Sequence, residues 1–248
     1  MPIRVEIENL TKYYGKTLVL DSVNLQVREH EVICLIGASG SGKSTILRCI
    51  TRLVPYDHGV IRLDGMNTDG ASFGRNGLAK RIGIVFQAFN LFPHINVIDN
   101  ITLAPCKVHG VQRKDAEAHA EELLALFGMS EFARSYPEQL SGGQQQRVAI
   151  VRALATNPEV LLLDEVTAAL DPELIGGVLR IIRDLRERGM TMIIVTHEMS
   201  FARDVADRVC FLDSGHILEQ DKPQKLFSRP EHPRTAQFLQ RIIEAGRL

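Results

Sequence analysis

Residues 37–45 have the types and spacing that most clearly predict chemistry in this sequence. They read Gly-Ala-Ser-Gly-Ser-Gly-Lys-Ser-Thr and match the phosphate-loop pattern G-x-x-x-x-G-K-[S/T]. Glycines let the backbone wrap around a phosphate chain, the N-terminus of the following helix favours an anion, and the lysine can reach the β- and γ-phosphates. The Ser44 hydroxyl is placed to bind Mg²⁺. We therefore expect a nucleotide to contact Gly37, Ala38, Ser39, Gly40, Ser41, Gly42, Lys43, Ser44 and Thr45.

A second chemical site is predicted where an apolar run ends in two acids. Residues 160–163 read Val-Leu-Leu-Leu, typical of a central parallel strand, and Asp164 and Glu165 follow. The C-terminal end of such a strand opens at the crevice where parallel sheets bind ligands. We expect Asp164 to lie near the Mg²⁺ bound by Ser44, and Glu165 to polarise an attacking water. The alternative is that the two acids only cap a helix.

A third candidate site precedes a predicted helix. A serine of the N-cap type is followed by two glycines, which allow close backbone approach to another anion. This pattern predicts a second phosphate-binding helix N-terminus, and the alternative is an ordinary capped helix after a glycine turn. The residues concerned are Leu140, Ser141, Gly142, Gly143 and Gln144.

Hydrophobic periodicity indicates the elements that must position these sites. The expected strands are 3–7, 18–27, 32–36, 59–63, 81–86, 160–163, 192–195, 209–212 and 215–219, with a turn at 12–15 and a loop at 66–79. The expected helices follow the phosphate loop and occupy 96–103 (broken by Pro105), 113–127, 144–156, 173–188, 223–227 and 235–245. Alternating strands and helices imply a parallel sheet. We predict an α/β core at 1–87 and 158–248, which includes an N-terminal antiparallel β region, and an inserted helical lobe at 88–157.

Composition excludes several classes of protein. The chain has 248 residues, 45% of them hydrophobic, and a net charge of −1, which argues against a nucleic-acid partner. No apolar run approaches the length of a membrane span, and the first residues have no signal-peptide pattern. The four cysteines are scattered without metal-site spacing; Cys34 and Cys210 lie in apolar runs and are expected in the core. These features predict a protein of a reducing compartment.

Five motifs occur together in the order seen in ATP-binding cassette (ABC) ATPases, which this chain resembles over nearly its whole length. They are the phosphate loop, Leu-Ser-Gly-Gly-Gln at 140–144, Leu-Leu-Leu-Asp-Glu at 161–165, Ala-Leu-Asp at 169–171 and Val-Thr-His at 195–197. The resemblance implies a P-loop NTPase (RecA-like) core in a single ABC domain. It also implies a homodimer that binds two ATP molecules head to tail, with residues 140–144 of one copy contacting the ATP of the other.

The same resemblance implies roles that spacing alone does not give. Tyr14 would stack on adenine, and its alternative is a surface aromatic residue. His197 would contact the γ-phosphate, and its alternative is a core or capping histidine. Asp171 would communicate across the dimer. The catalytic set would be Lys43, Gln87, Glu165 and His197, and the Mg²⁺ ligands would be Ser44, Gln87 and Asp164.

A finer resemblance is to the ATPase subunits of polar-amino-acid uptake transporters. It rests on Phe-Gln-Ala-Phe-Asn-Leu-Phe-Pro-His at 86–94, Tyr-Pro at 136–137, Thr-His-Glu-Met at 196–199 and the tail 232–239. That family usually has Pro and Ser where this chain has Val166 and Ala168, which predicts a looser turn after Glu165. The resemblance implies two membrane permease subunits, an extracytoplasmic solute-binding protein and a peripheral location on the cytoplasmic face of the inner membrane. The solute would be a polar amino acid or a related compound such as an opine.

An ABC ATPase can also be a soluble enzyme of DNA repair or translation, or the cassette of an exporter. A soluble ATPase of DNA repair would carry a long coiled-coil insertion, and one of translation would carry two cassettes in one chain. An exporter cassette is usually fused to membrane helices. This sequence shows none of these features, so an importer subunit is the preferred hypothesis.

Overall fold

The computed structural model describes residues 1–69, 73 and 77–244. The chain folds into two compact units, unit 1 (Met1–Arg75 and Gly189–Leu248) and unit 2 (Asn76–Arg188). The boundaries predicted for the helical lobe, 88 and 157, both fall inside unit 2. Across the described residues, no helix has both the length and the apolar character needed to cross a membrane.

The strands, in chain order, are β1 (Ile3–Tyr14), β2 (Thr17–Arg28), β3 (Val32–Ile36), β4 (His58–Leu63), β5 (Met66–Asn67), β6 (Ile82–Val85), β7 (Val160–Asp164), β8 (Thr191–Val195), β9 (Arg208–Asp213) and β10 (His216–Asp221). The helices are α1 (Lys43–Ile50), α2 (Val97–Val108), α3 (Arg113–Leu126), α4 (Gly142–Leu154), α5 (Pro172–Glu187), α6 (Met199–Val205), α7 (Pro223–Ser228) and α8 (Pro233–Glu244).

An antiparallel sheet in unit 1 has the strand order β2-β1-β4-β5, as the alternating pattern predicts. The turn predicted at 12–15 is wrong, because β1 continues to Tyr14, which pairs with Thr17 of β2. Only Gly15 has the positive φ (+62°) that so tight a turn requires. The loop predicted at 66–79 contains β5, and a 3₁₀ turn at Leu78–Lys80 begins near its end. Residues 70–72 and 74–76 of that predicted loop lie outside the described part of the chain.

The other sheet strands of unit 1 have the order β10-β9-β3-β8. Central β3 pairs in parallel with β8 and β9, and all five of its residues are buried, as expected for a strand covered on both faces. Cys34 and Cys210 are buried there, as predicted. Helix α6, which periodicity did not predict, follows β8 and buries Phe201 and Val205.

Unit 2 contains the parallel pair β6–β7 and helices α2, α3 and α4, which pack on one another. The predicted break at Pro105 is wrong, since α2 continues through this residue to Val108. A proline inside a helix costs about 3 kcal/mol. Burial of Val97, Ile98 and Ile101 on the same helix contributes roughly 1.5–3 kcal/mol for each side chain. Packing therefore outweighs the lost hydrogen bond, which falls near the end of the helix.

Candidate functional site

The phosphate loop in unit 1 needs glycine at two positions because other elements approach its backbone closely. Gly37 has a φ of +147° and Gly42 a φ of +106°, which L side chains rarely adopt. A Cβ on Gly37 would overlap the carbonyl oxygen of Leu212 in β9, and a Cβ on Gly42 would lie 2.6 Å from Cδ2 of Leu20 in β2. Strands on two sides therefore hold the loop in its curved conformation.

The phosphate loop ends at the N-terminus of α1, whose first residue is Lys43. This arrangement fits a phosphate chain. Among the described residues, no side chain caps α1 and no acid occupies its first turn, and the dipole of a helix N-terminus favours an anion. Lys43 is 4% exposed, and its Nζ donates to the carbonyl oxygens of Gly37 (3.0 Å) and Ala38 (2.8 Å). The ammonium therefore lies against the loop that would surround the phosphates.

His197 lies at the same edge of the unit 1 sheet as the phosphate loop. Leu35 of β3 is in register with Val195 of β8, and both strands end within a residue of these partners. The chain then enters the phosphate loop after β3 and reaches His197, which is partly exposed, after β8. Thr196 Oγ1 accepts a hydrogen bond from the backbone N–H of Glu198 (3.0 Å), which shapes the turn that carries the histidine.

In unit 2 the sheet brings Gln87 and the two acids to one edge. Val85 of β6 is in register with Leu163 of β7, so Gln87 and Glu165, each two residues further on, leave the same ends of the strands. Asp164 is buried, at 4% exposure, while Gln87 is exposed. Glu165 has a φ of +49°, a conformation uncommon in residues other than glycine and often found at functional turns.

The turn after Glu165 is well formed despite the departures at 166 and 168. The backbone N–H of Ala168 donates to the carbonyl oxygen of Glu165 (3.0 Å), and the Val166 side chain is buried. Asp171 follows at the N-cap position of α5, and within the described residues its side chain makes no capping hydrogen bond. This exposed carboxylate is therefore presented to the surface next to the turn.

The segment 140–144 forms a reciprocal cap at the start of α4. Ser141 Oγ accepts from the backbone N–H of Gln144 (3.3 Å), and Gln144 Oε1 accepts from the backbone N–H of Ser141 (2.7 Å). The predicted N-cap is confirmed, and the helix begins two residues earlier than predicted. A Cβ on Gly143 would lie 3.1 Å from Cβ of Leu174 in α5. Gly143 is therefore needed for close packing of α5 rather than for its φ.

Helix α4 also holds the chain on both sides of Gln87, a connection that sequence reasoning missed. Gln146 Nε2 is 3.5 Å from the carbonyl oxygen of Phe86. Arg152 donates to the carbonyl oxygens of Phe89 (3.1 Å) and Asn90 (2.6 Å), and burial lowers the pKa of its guanidinium. Side chains that bond only to backbone leave no pairing pattern in a sequence. The helix that begins with the 140–144 segment is thus tied directly to the segment around Gln87.

The predicted metal ligands have side chains of the kind that suits Mg²⁺. The described residues contain no group of three or more His, Cys, Asp or Glu side chains able to hold a metal ion. The candidate ligands Ser44, Gln87 and Asp164 offer a hydroxyl, an amide oxygen and one carboxylate. Mg²⁺ prefers oxygen ligands and is commonly bound by one or two carboxylates together with phosphate oxygens and water.

An apolar groove of about 630 Å³ lies in unit 2 beside the segment that follows Gln87. Phe92 and Leu103 line it with 43% and 36% of their surfaces exposed. Arg152, which bonds the 89–90 segment, lines it as well. The groove therefore shares a residue with the contacts that hold the chain near Gln87.

Comparison with known proteins shows which family this chain resembles. The family model described as "ABC transporter" matches residues 20–168. The chain is 48% identical over 239 residues to the glutamine transport ATP-binding protein GlnQ of Geobacillus stearothermophilus, covering 96% of this chain and 99% of that protein. It is 50% identical over 246 residues to the L-cystine transport system ATP-binding protein TcyN of Escherichia coli, covering 96% and 98%.

A solved structure shows the same fold. It is a dimeric ATP-binding cassette in a post-hydrolysis state, bound to ADP and Pi. It matches 88% of this chain and 98% of its own with 35% sequence identity and a TM-score of 0.75. The α/β core with its antiparallel region and added helices is thereby confirmed.

Proposed function

Because this chain belongs to the ABC transporter family, we propose that it is the ATP-hydrolysing, energy-coupling subunit of an importer for polar amino acids or related solutes such as opines. The observation that carries this proposal is similarity along almost the whole chain to ATP-binding proteins of glutamine and L-cystine transport. The same similarity disfavours an ATPase of DNA repair or translation. The protein would act at the cytoplasmic face of the membrane with two permease subunits and, indirectly, an extracytoplasmic solute-binding protein.

We propose that the working form is a head-to-tail homodimer with ATP bound between the copies. Support comes from the dimeric cassette with ADP and Pi that this chain resembles. The phosphate loop of one copy would face residues 140–144 of its partner. The α4 N-terminus would add a second helix dipole near the γ-phosphate, and Asp171 would lie close to the dimer interface. Dimer closure would then follow ATP binding, and reopening would follow hydrolysis.

The residues of the chain supply the proposed chemistry by position and charge. The α1 N–H groups and Lys43 would bind the β- and γ-phosphates, and His197 would contact the γ-phosphate from the same sheet edge. Glu165 would polarise the attacking water, a role worth about 10²–10⁴ in rate for a general base. Ser44, Gln87 and Asp164 would hold Mg²⁺, which when bound neutralises phosphate charge.

Tyr14 would stack on adenine, since its ring stands 46% exposed at the end of β1. Replacing Tyr14 by alanine should weaken ATP binding by about 1–3 kcal/mol, the usual contribution of one base–aromatic stack. The loss should be similar for GTP, because every base has a π-face. Titration calorimetry of both nucleotides would check this, and unchanged affinity for both would place Tyr14 outside the site.

We propose that the apolar groove of unit 2 receives a segment of the permease. Exposed apolar side chains in a groove typically mark a protein interaction site. Arg152 connects this groove to the segment next to Gln87. A docked segment would contact Phe92 and Leu103 directly. It would also touch Arg152, which holds residues 89–90 just beyond Gln87, so movement at the nucleotide could reach the membrane partner.

Replacing Leu103 by glutamate should weaken permease binding while ATP binding by the isolated protein persists. Burying a leucine contributes about 1.5–3 kcal/mol, so co-purification with the permease should fall by roughly tenfold or more. Leu126→Glu is the matched control, because Leu126 is 47% exposed on α3 and does not line the groove. Equal permease recovery with both variants would remove the groove from the interface.

The transport function itself is tested by uptake in cells. A strain that lacks this chain should lose uptake of one or more radiolabelled polar amino acids or opines. The parent chain should restore uptake and Glu165→Gln should not. Unchanged uptake of every such solute in the deletion strain would contradict the proposal.

A further inference from the structure

A buried lysine lies against the ring of Tyr14. Lys12 Nζ is placed over the Tyr14 ring, 5.3 Å from its centroid, within the range of a cation–π contact. The Lys12 side chain is only 9% exposed, although lysine is rarely buried without a partner. An ammonium in this position covers one face of the ring and leaves the opposite face for another group.

Asp57 holds both the lysine and the strand that carries the ring. Its Oδ2 accepts from Lys12 Nζ (3.2 Å) and from the backbone N–H of Tyr13 (2.7 Å). Its own backbone N–H donates to the carbonyl oxygen of Thr11 (2.9 Å). The Tyr13 N–H lowers the pKa of the Asp57 carboxyl, so the anion persists at neutral pH. The Asp57 carboxylate thus holds Lys12 and Tyr13, and the Asp57 backbone N–H holds Thr11, so Asp57 contacts the three successive residues before Tyr14.

The same hairpin is anchored to the phosphate loop. The register of β1 and β2 shifts between Lys12, which pairs with Leu20, and Tyr13, which pairs with Leu18. This shift leaves Val19 as an extra residue, as in a β-bulge. A Cβ on Gly42 would lie 3.0 Å from the Val19 carbonyl oxygen, so the bulge sits directly against the loop. A ring fixed relative to this hairpin is therefore fixed relative to the phosphates.

We propose that Lys12 and Asp57 are positioning residues that hold the Tyr14 ring for the base of the nucleotide and direct that base to the face opposite Lys12. The inference rests on the proposed function, because it requires Tyr14 to contact the base. It explains why a lysine is buried beneath an exposed aromatic ring. It also predicts that the pair acts on the base and leaves the phosphates unaffected.

Binding of the base and binding of the phosphates can be distinguished in the whole chain with two ligands. These are ATP and inorganic tripolyphosphate, which has no base. Lys12→Met and Asp57→Ala should weaken ATP binding about three- to tenfold, the range of a partly desolvated cation–π contact. Tripolyphosphate affinity should stay within about twofold of the parent. Lys12→Arg, which keeps the cation and the pairing, should bind ATP like the parent. Lys16→Met is the matched control, because Lys16 is an exposed lysine in the adjacent turn, and it should change neither affinity.

A double-mutant cycle completes the test. In a Tyr14→Ala background, Lys12→Met should have no further effect on ATP affinity, since the ring it positions is gone. Equal loss of ATP and tripolyphosphate affinity in Lys12→Met would overturn the proposal and show a general distortion of the loop. Parent-like ATP affinity in Lys12→Met, beside a clear loss in Tyr14→Ala, would overturn the proposal alone. Parent-like affinity in Tyr14→Ala would instead overturn the role of Tyr14 on which it rests.

Discussion

Replacing Glu165 by glutamine is expected to slow ATP hydrolysis by about 10²- to 10⁴-fold, the usual contribution of a general base, while ATP binding persists. The carboxylate leaves β7 in a left-handed turn, with φ +49°, at the strand edge it shares with Gln87. Glutamine keeps the size of the side chain but cannot accept a proton from water. Because hydrolysis would reopen the dimer, the variant should accumulate as an ATP-bound dimer in size-exclusion chromatography.

The control for this experiment is Glu187→Gln, which removes one carboxylate at the exposed C-terminal end of α5. It should hydrolyse ATP at the parent rate and show no ATP-dependent dimer. A Glu165→Gln protein that remains monomeric and turns over ATP near the parent rate would contradict both the catalytic role and the dimeric site.

A mixed dimer of two inactive chains is expected to recover ATP occlusion at one site. Lys43→Ala removes the cation against the phosphate loop, and Ser141→Arg places a bulky charge where the partner's ATP would lie. Homodimers of either variant should occlude no nucleotide. In the heterodimer one site carries both changes, whereas the other pairs an intact phosphate loop with an intact 140–144 segment. Recovery should therefore reach about one nucleotide per dimer, as a head-to-tail two-fold arrangement requires.

The readout is nucleotide occlusion in a heterodimer purified with two different tags, because one good site need not support turnover. Ser141 also caps α4. The Ser141→Arg protein should therefore be roughly 1 kcal/mol less stable, with a Tm about 2–4 °C lower, and it should still be folded in the assay. A dimer of two parent chains, purified with the same two tags, gives the occlusion expected for two intact sites. If each chain built its site alone, mixing the two variants would restore nothing, and that result would exclude the head-to-tail arrangement.

The sequence correctly predicted the features that depend mainly on residues adjacent in the chain. The apolar strands before the phosphate loop and before Asp164 and the Ser141 cap follow from local sequence, and the structure confirms each of them. The glycines of the phosphate loop match a local motif, but β2 and β9 also approach the loop closely, which is a tertiary effect. The sequence also predicted a parallel sheet. The register of its strands came from the structure, which shows that Gln87 and Glu165 leave one edge together and that the phosphate loop and His197 leave one edge together.

The errors occur where tertiary packing competes with local propensity. Pro105 would end an isolated helix, but burial of one face of α2 carries the helix past it. Residues 12–14 resemble a turn, but pairing with β2 keeps them in the strand. In both cases several buried or hydrogen-bonded neighbours outweigh a local preference worth a few kcal/mol.

The sequence by itself determined the family, which the comparisons confirm. It also predicted the nucleotide site and most of the residues proposed to do its chemistry, because motifs are short and their physics is local. Only the tertiary structure decided which distant residues support them. Lys12 meets Asp57 across 45 positions, and Arg152 reaches backbone oxygens 62 and 63 residues away. Such contacts depend on how strands and helices pack. Chain separation and residue type do not encode that packing, so these supports became visible only in the folded molecule.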